Sequence, residues 1–114
     1  MIKNTAELIN NGLDDVTRRL REDACSILEA SLEAVDPEKA IFNALKLEGD
    51  ILRFEGGKVD LSGVNRVLVV GGGKAGGLMA RAVENLLGEY VDSGLVNVLN
   101  GTENAVNLNK IKLH

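Results

Sequence analysis

The segment 67–77, which reads VLVVGGGKAGG, constrains the fold of this chain more than any other. Its four leading apolar residues, three of them valine, are typical of a strand buried on both faces of a sheet. After the glycines, apolar residues recur at helical spacing up to Leu87, and Gly88 is placed to end that helix. The order of strand, glycine turn and helix predicts a βα unit of a layered α/β fold.

Periodicity and turn signals predict the other elements along the chain. Pro37, preceded by Asp36 and followed by Glu38, favours a helix start, and the paired glycines 56 and 57 favour a tight hairpin turn. The connection before the last strand is short for a helical crossover, so we expect that strand to pair antiparallel or at an edge. The predicted elements are helices over about 14–35 and 37–46, a β-hairpin over about 51–61, a βαβ unit over about 65–99 and a last strand over about 110–113.

The size of the chain bounds its organisation. A length of 114 residues with 45% hydrophobic and 26% charged side chains fits one globular domain. A doubly wound sheet needs helices on both faces, and the predicted elements are too few to supply them. We therefore expect a single α/β domain over 1–114 with partial, Rossmann-like αβα layers, corresponding to the N-terminal portion of a larger Rossmann-like domain.

Charge and composition argue against several classes of partner. A net charge of −4 and an aromatic content of 3% disfavour nucleic-acid binding, which needs clustered cations or stacking rings. No apolar run reaches the length of a membrane span, and no leader segment opens the chain. Cys25 is the sole cysteine, so no intramolecular disulfide can form, and its place in the apolar stripe of the first helix indicates a packed side chain. We expect a cytoplasmic protein without membrane partners.

The glycine cluster satisfies the pattern G-x-G-x-x-G in the expected context of a strand before it and a helix after it. Glycines allow backbone N–H groups to approach an anion, the helix N-terminus adds a positive dipole end, and Lys74 adds a full charge. The pattern therefore predicts an anion or nucleotide site. Its candidate ligand-binding residues are Gly71, Gly72, Gly73, Lys74, Ala75, Gly76 and Gly77.

Three other interpretations of the cluster compete with this one. A P-loop is rejected because Leu68 stands where its first glycine belongs and Ala75 replaces the metal-binding hydroxyl. Dinucleotide binding is disfavoured, since Asp92 comes too early and Glu103 too late to hold the ribose hydroxyls after the second strand. The third interpretation, that the glycines only allow close packing of strand and helix, stays open.

Several segments together resemble the type II glycerate 2-kinases, a family often labelled hydroxypyruvate reductase. The resemblance covers roughly residues 15–114 and is more specific than the glycines alone. Besides the glycine-lysine segment, it is carried by Arg21-Glu22-Asp23-Ala24, Ile27-Leu28-Glu29-Ala30, Glu33-Ala34-Val35-Asp36-Pro37-Glu38, Leu47-Glu48-Gly49-Asp50 and Gly94-Leu95-Val96-Asn97-Val98.

This resemblance implies transfer of a phosphoryl group from ATP, with Mg²⁺, to the 2-hydroxyl of D-glycerate in a cleft between two α/β domains. The glycine-loop lysine of the family falls on Lys74, which the resemblance therefore implies as the catalytic residue. Members of the family are several times longer than 114 residues. We therefore expect this chain to be inactive alone, because a cleft enzyme needs both of its walls.

No residues form an evident magnesium site. The chain has no D-x-D motif, and its single histidine, His114, favours an inert end over a ligand. Asp50, Asp60 and Asp92 stand at predicted loop positions, where carboxylates are commonly solvated. No metal ligand is therefore assigned.

Two further functions stay open at this point. One is a non-catalytic nucleotide- or phosphate-binding module completed by a partner chain, with self-association through the incomplete core. The other is an NAD(P)-dependent hydroxypyruvate reductase, as the alternative family label suggests.

Overall fold

The computed structural model describes residues 2–114, which form two compact units, one ending at Asp36 and the other comprising Pro37–His114. The first unit contains α1 (Thr5–Asn10) and α2 (Asp15–Ala34). Asp14 caps α2: its Oδ1 accepts the N–H of Thr17 at 2.7 Å, and its own N–H donates to Thr17 Oγ1 at 3.1 Å. This capping box explains why the long helix begins at the predicted position.

The second unit contains most of the secondary structure. The predicted helix, hairpin, βαβ unit and last strand are present in this order, with an additional strand before the hairpin. In chain order the elements are α3 (Pro37–Ala44), β1 (Leu45–Glu48), β2 (Ile51–Phe54), β3 (Gly57–Asp60), β4 (Val67–Gly72), α4 (Gly76–Leu87), β5 (Val91–Asn97) and β6 (Ile111–Leu113), with one-turn 3₁₀ helices at Leu61–Gly63 and Gly88–Tyr90.

The hairpin of β2 and β3 is present, and β1 extends it to a three-stranded antiparallel sheet. The helix predicted over 37–46 ends at Ala44 instead, because Leu45–Glu48 alternates apolar and charged residues and pairs with β2. Gly49 makes this pairing feasible, since its φ of +60° forms the turn between β1 and β2. Short apolar segments next to a helix are ambiguous by periodicity, and here strand pairing determines the outcome.

The second sheet is parallel, with the order β4-β5-β6. Strand β6 lies at an edge, as one of the predicted alternatives has it, but it pairs parallel with β5, so antiparallel pairing is wrong. The connection over 98–110 contains no helix. The backbone of His114 continues this pairing, with its N–H donating to Val96 O at 3.0 Å.

Helix α4 packs against the parallel sheet and forms the core with it. The alternation of strand residues divides β4: Val67 and Val69 pack against the core, whereas Leu68 and Val70 point the other way and are exposed. The α/β class with partial Rossmann-like layering is confirmed. No helix across residues 2–114 combines the length and the apolar character needed to cross a membrane. The core residues are Leu61, Ala80, Leu87, Val91, Val96 and Ile111.

Candidate functional site

The glycine cluster forms the turn from β4 into α4. Gly71 and Gly72 belong to β4 and pair with Val96 and Asn97 of β5. The next three residues, 73–75, make the turn, and Gly76 and Gly77 open α4. The candidate residues are thus at the carboxyl end of a parallel sheet, where ligands of α/β folds commonly bind.

Two of these glycines are required by the fold itself. Gly73 has a φ of +122°, which residues with a side chain rarely adopt, and its N–H donates to Asn97 O at 2.9 Å. A Cβ on Gly76 would lie 2.8 Å from Val96 Cγ1, closer than packed atoms allow. Close packing of strand and helix therefore accounts for Gly76. The packing interpretation holds for this glycine.

Nothing within residues 2–114 requires glycine at positions 71 and 72 in the same way. Neither has a positive φ, and a Cβ would find its nearest neighbours at ordinary distances, 3.7 Å from Val96 Cγ2 and 3.6 Å from Asn97 O, respectively. Both residues are exposed. Their lack of side chains instead leaves the backbone open to close approach by a group from outside.

The first turn of α4 presents donors without a side-chain cap. Ala75 occupies the N-cap position and offers no side-chain acceptor, although the N–H of Gly76 donates to Gly73 O at 3.0 Å. The positive end of the helix dipole also lies here. Lys74 is exposed, and its ammonium makes no hydrogen bond or ion pair within the described part of the chain. The arrangement can bind an anion such as a phosphate.

An apolar cavity of about 200 Å³ adjoins Gly71 and Gly72. Its wall includes Ile41 of α3 and the α4 residues Met79 and Val83. The site thus places apolar surface directly beside the backbone donors, which is the common composition of small-molecule sites.

The three aspartates considered as metal ligands each have another role. Asp92 Oδ2 accepts the N–H of Val67 at 2.8 Å, and Asp60 Oδ1 accepts the N–H of Ser62 at 2.9 Å. Asp50 accepts a hydrogen bond from the hydroxyl of Tyr90, and this bond raises the pKa of that phenol. Within residues 2–114, no three histidine, cysteine or acidic side chains come together as a metal site.

Glu84 was missed by the sequence interpretation. It lies on α4, is only 9% exposed, and accepts backbone N–H groups at both oxygens. Oε1 binds Asn109 at 2.6 Å, and Oε2 binds Lys110 at 3.1 Å and Ile111 at 3.0 Å. Its position on the same helix face as Ala80 and Leu87 is a signal in the sequence, since a buried glutamate needs partners.

The donors determine the ionisation of Glu84. Burial raises the pKa of its carboxyl, but the three backbone donors and the Lys110 ammonium outweigh burial, and the pKa is held below its usual value. The Lys110 ammonium also donates to Gly88 O at 3.2 Å and to Glu89 Oε2 at 3.3 Å. Glu84 is thus a buried anion that the end of the 98–110 connection neutralises.

Comparison with known proteins gives concordant results. A glycerate 2-kinase of Pyrococcus horikoshii is 34% identical over 68 residues, which are 60% of this chain and 15% of that protein. A glycerate kinase of Danio rerio is 31% identical over 83 residues, 73% of this chain and 16% of that protein. The crystal structure of the PH0495 protein from Pyrococcus horikoshii has a TM-score of 0.66 and 31% identity, covering 82% of this chain and 20% of that one.

This chain therefore spans a fifth or less of the length of these relatives. Residues 23–114 match the family described as Domain of unknown function (DUF4147). The matched range includes β4, the glycine loop and α4. Because the match extends over most of the chain, the protein belongs to the DUF4147 family, and its relatives include glycerate kinases.

Proposed function

We propose that this chain carries the glycine-loop part of a glycerate kinase that transfers a phosphoryl group from ATP to the 2-hydroxyl of D-glycerate. The observation that carries the proposal is the open backbone of Gly71 and Gly72 beside the exposed Lys74, for which the fold of this chain gives no other reason. The names of the relatives supply the reaction class.

The chemistry of phosphoryl transfer suits these residues. Catalysis of this reaction is mostly positioning and neutralisation of charge on the phosphate oxygens. In the proposal, the Lys74 ammonium supplies a point charge, and the backbone N–H groups of the first turn of α4 orient the phosphates. The adjoining cavity, with its apolar lining, offers space for an apolar part of the ligand beside the loop.

Mg²⁺ accompanies ATP in this proposal and neutralises charge on its phosphates. The turn fits the phosphates, since its donors and Lys74 face no carboxylate partner within residues 2–114. The same residues supply no cluster of acidic ligands for the metal. No step is therefore assigned to metal ligands of this chain.

The isolated chain is proposed to be inactive. The relatives are at least five times as long as the part that this chain covers, and the residues that bind D-glycerate have no candidate in the described structure. An ATP-dependent assay for 2-phosphoglycerate tests this directly. Robust turnover by the 114-residue chain would refute the proposal of inactivity.

The role of Lys74 is tested in a chimera in which this chain replaces the matched part of the Pyrococcus horikoshii glycerate 2-kinase. Lys74→Ala should lower kcat/KM by about 100-fold or more, as removal of a transition-state charge partner does. Lys58→Ala, which removes an exposed lysine of β3, is the matched control and should leave kcat/KM unchanged. Equal activities of the two variants would remove Lys74 from the mechanism.

A phosphate-binding module completed by another chain is a second candidate, favoured by the exposed face of β4. Leu68 is 56% and Val70 83% exposed, and apolar faces of this kind commonly associate. Analytical ultracentrifugation with and without ATP discriminates between the candidates. A monomer that binds no ATP would contradict this one.

A further inference from the structure

The 98–110 connection joins two parallel neighbours without a helix of its own. Parallel neighbours usually need a crossover helix, which packs on the sheet and fixes the path of the chain. Here the N–H groups at the end of the connection bind a side chain of α4. The path of the connection is therefore set by the helix that also carries the glycine loop.

Helix α4 holds the connection at two points. Gly77 and Glu84 are about seven residues apart, which places them on one face of the helix, two turns from each other. At Gly77, Val106 Cγ2 lies 3.4 Å from the position that a Cβ would take, so Val106 packs directly on the first turn. At Glu84, the carboxylate binds the backbone that leads into β6.

The contact at Glu84 requires the carboxylate form of its side chain. Both oxygens of Glu84 accept N–H groups, and within residues 2–114 these donors all belong to the backbone of Asn109–Ile111. Glutamine has the same shape, but its amide nitrogen is a donor and would face backbone donors. A change from Glu to Gln thus replaces one of the two accepting oxygens by a donor while preserving the volume of the side chain.

We propose that Glu84 is a positioning residue for the glycine-loop site: its carboxylate fixes the 98–110 connection across the first turn of α4. The connection then supports that turn through Val106, while Asn97, just before the connection, accepts the N–H of Gly73. This role rests on the proposed function, because the ligand that the turn receives is the phosphate of ATP. Glu84 itself does not contact that ligand.

Amide hydrogen exchange of the chain, measured by NMR with and without Mg·ATP, tests the proposal. Glu84→Gln should raise exchange at Asn109–Ile111 and at Val106, and should shift the amide signals of the turn over 73–77. It should also weaken Mg·ATP binding by about fivefold or more, the low end of coupling between linked sites.

Two controls separate positioning from general loss of stability. Glu89→Gln removes a nearby carboxylate whose side chain is fully exposed and contacts only Lys110 Nζ. This change should alter neither the amide exchange of the connection nor the affinity for Mg·ATP. Leu61→Val destabilises the core from another element, the 3₁₀ helix Leu61–Gly63, and leaves Glu84 and its three backbone donors in place. It should lower global stability without a selective effect on the signals of the turn over 73–77.

The outcomes are distinct from those for the proposed function. If Glu84→Gln leaves the turn signals as they are in the original chain, or acts no differently from Leu61→Val, the positioning role is overturned. If the original chain fails to bind Mg·ATP, the phosphate-binding role proposed for the glycine loop is contradicted. Selective changes in the signals of the turn in Glu84→Gln would still support the coupling in that case, because amide exchange needs no ligand.

Discussion

Helices α2 and α4 have similar sequence patterns and different surroundings. Both are amphipathic, with apolar residues at helical spacing along one side. In α4 that side is covered, and Ala80, Ala82 and Leu87 are buried. In α2, Cys25 is buried, but most of the apolar side is exposed: Val16, Leu20, Ile27, Leu28 and Leu32.

An amphipathic pattern therefore predicts a helix but not the burial of its apolar side. Helix α4 connects two parallel strands and packs on the sheet that they form. Within its own unit, α2 has only the short helix α1 beside it. Asp14 caps its start, and Arg21 holds it to α1 by a hydrogen bond to Leu8 O at 2.9 Å.

The largest expected effect is loss of a buried leucine from α4. Leu87 is 6% exposed in the core, so Leu87→Ala should lower the free energy of unfolding by about 3 kcal/mol. Leu20→Ala is the matched change in α2, where the side chain is 62% exposed, and it should alter stability by no more than about 0.5 kcal/mol. Urea denaturation followed by circular dichroism measures both. Equal losses of unfolding free energy in the two variants would mean that the two helices do not differ in burial.

A smaller effect is expected where α4 meets the sheet. Gly76→Ala places a Cβ against the buried Val96, and the crowding should cost about 1–3 kcal/mol even though alanine favours helix. Gly71→Ala meets Val96 at an ordinary distance of 3.7 Å and should leave stability nearly unchanged. Thermal denaturation distinguishes the two. A stable Gly76→Ala variant would mean that the helix can move away from the sheet at no cost.

The attachment at Glu84 should depend on pH. Its pKa is lowered in the folded chain, so the unfolded chain binds the proton first as pH falls. The carboxylate therefore stabilises the fold above the unfolded pKa, and this contribution disappears as pH falls through the lower, folded pKa. Glu84→Gln should cost about 1–3 kcal/mol at neutral pH.

The difference in stability between the original chain and Glu84→Gln should accordingly shrink below about pH 4. Denaturation curves at a series of pH values measure this difference. The charged groups near Glu84 are Lys110 and, beyond it, Glu89, so Glu89→Gln serves as the control for indirect charge effects. A difference that is constant with pH would mean that the ionised carboxylate is not what holds the connection.

Much of the parallel unit could be predicted from the sequence, because its signals are local. The valines before Gly71 and the helical spacing after Gly76 determine β4 and α4, and Gly88, with a φ of +51°, ends the helix as predicted. The predicted helix over 37–46 includes Leu45 and Lys46, the first residues of β1, because Leu45 fits the helical period until the pairing with β2 is known.

The candidate site was predictable only in part, for a related reason. Gly71–Gly77 could be assigned as one cluster, yet the distinction between glycines that the fold requires and glycines that it does not depends on Val96 and Asn97 of another strand. The role of Glu84 is even harder to predict, because its hydrogen-bond partners follow it by about 25 residues along the chain. Contacts between distant segments decide these roles, and no local pattern contains them.

The smallest expected effect concerns the start of α2, where only local bonds act. The hydrogen bonds of Thr17, to the Asp14 carboxylate through its backbone N–H and through its hydroxyl, lower the pKa of that carboxyl. Asp14→Ala should remove the cap, reduce helicity in the first turn and raise amide exchange over 15–17. Leu87 and its neighbours in α4 should be unaffected. Because the folded pKa of Asp14 lies below the unfolded one, the original chain should lose the same protection from amide exchange only at acid pH. If Asp14→Ala raises exchange through all of α2 at neutral pH, the helix depends on its cap rather than on packing.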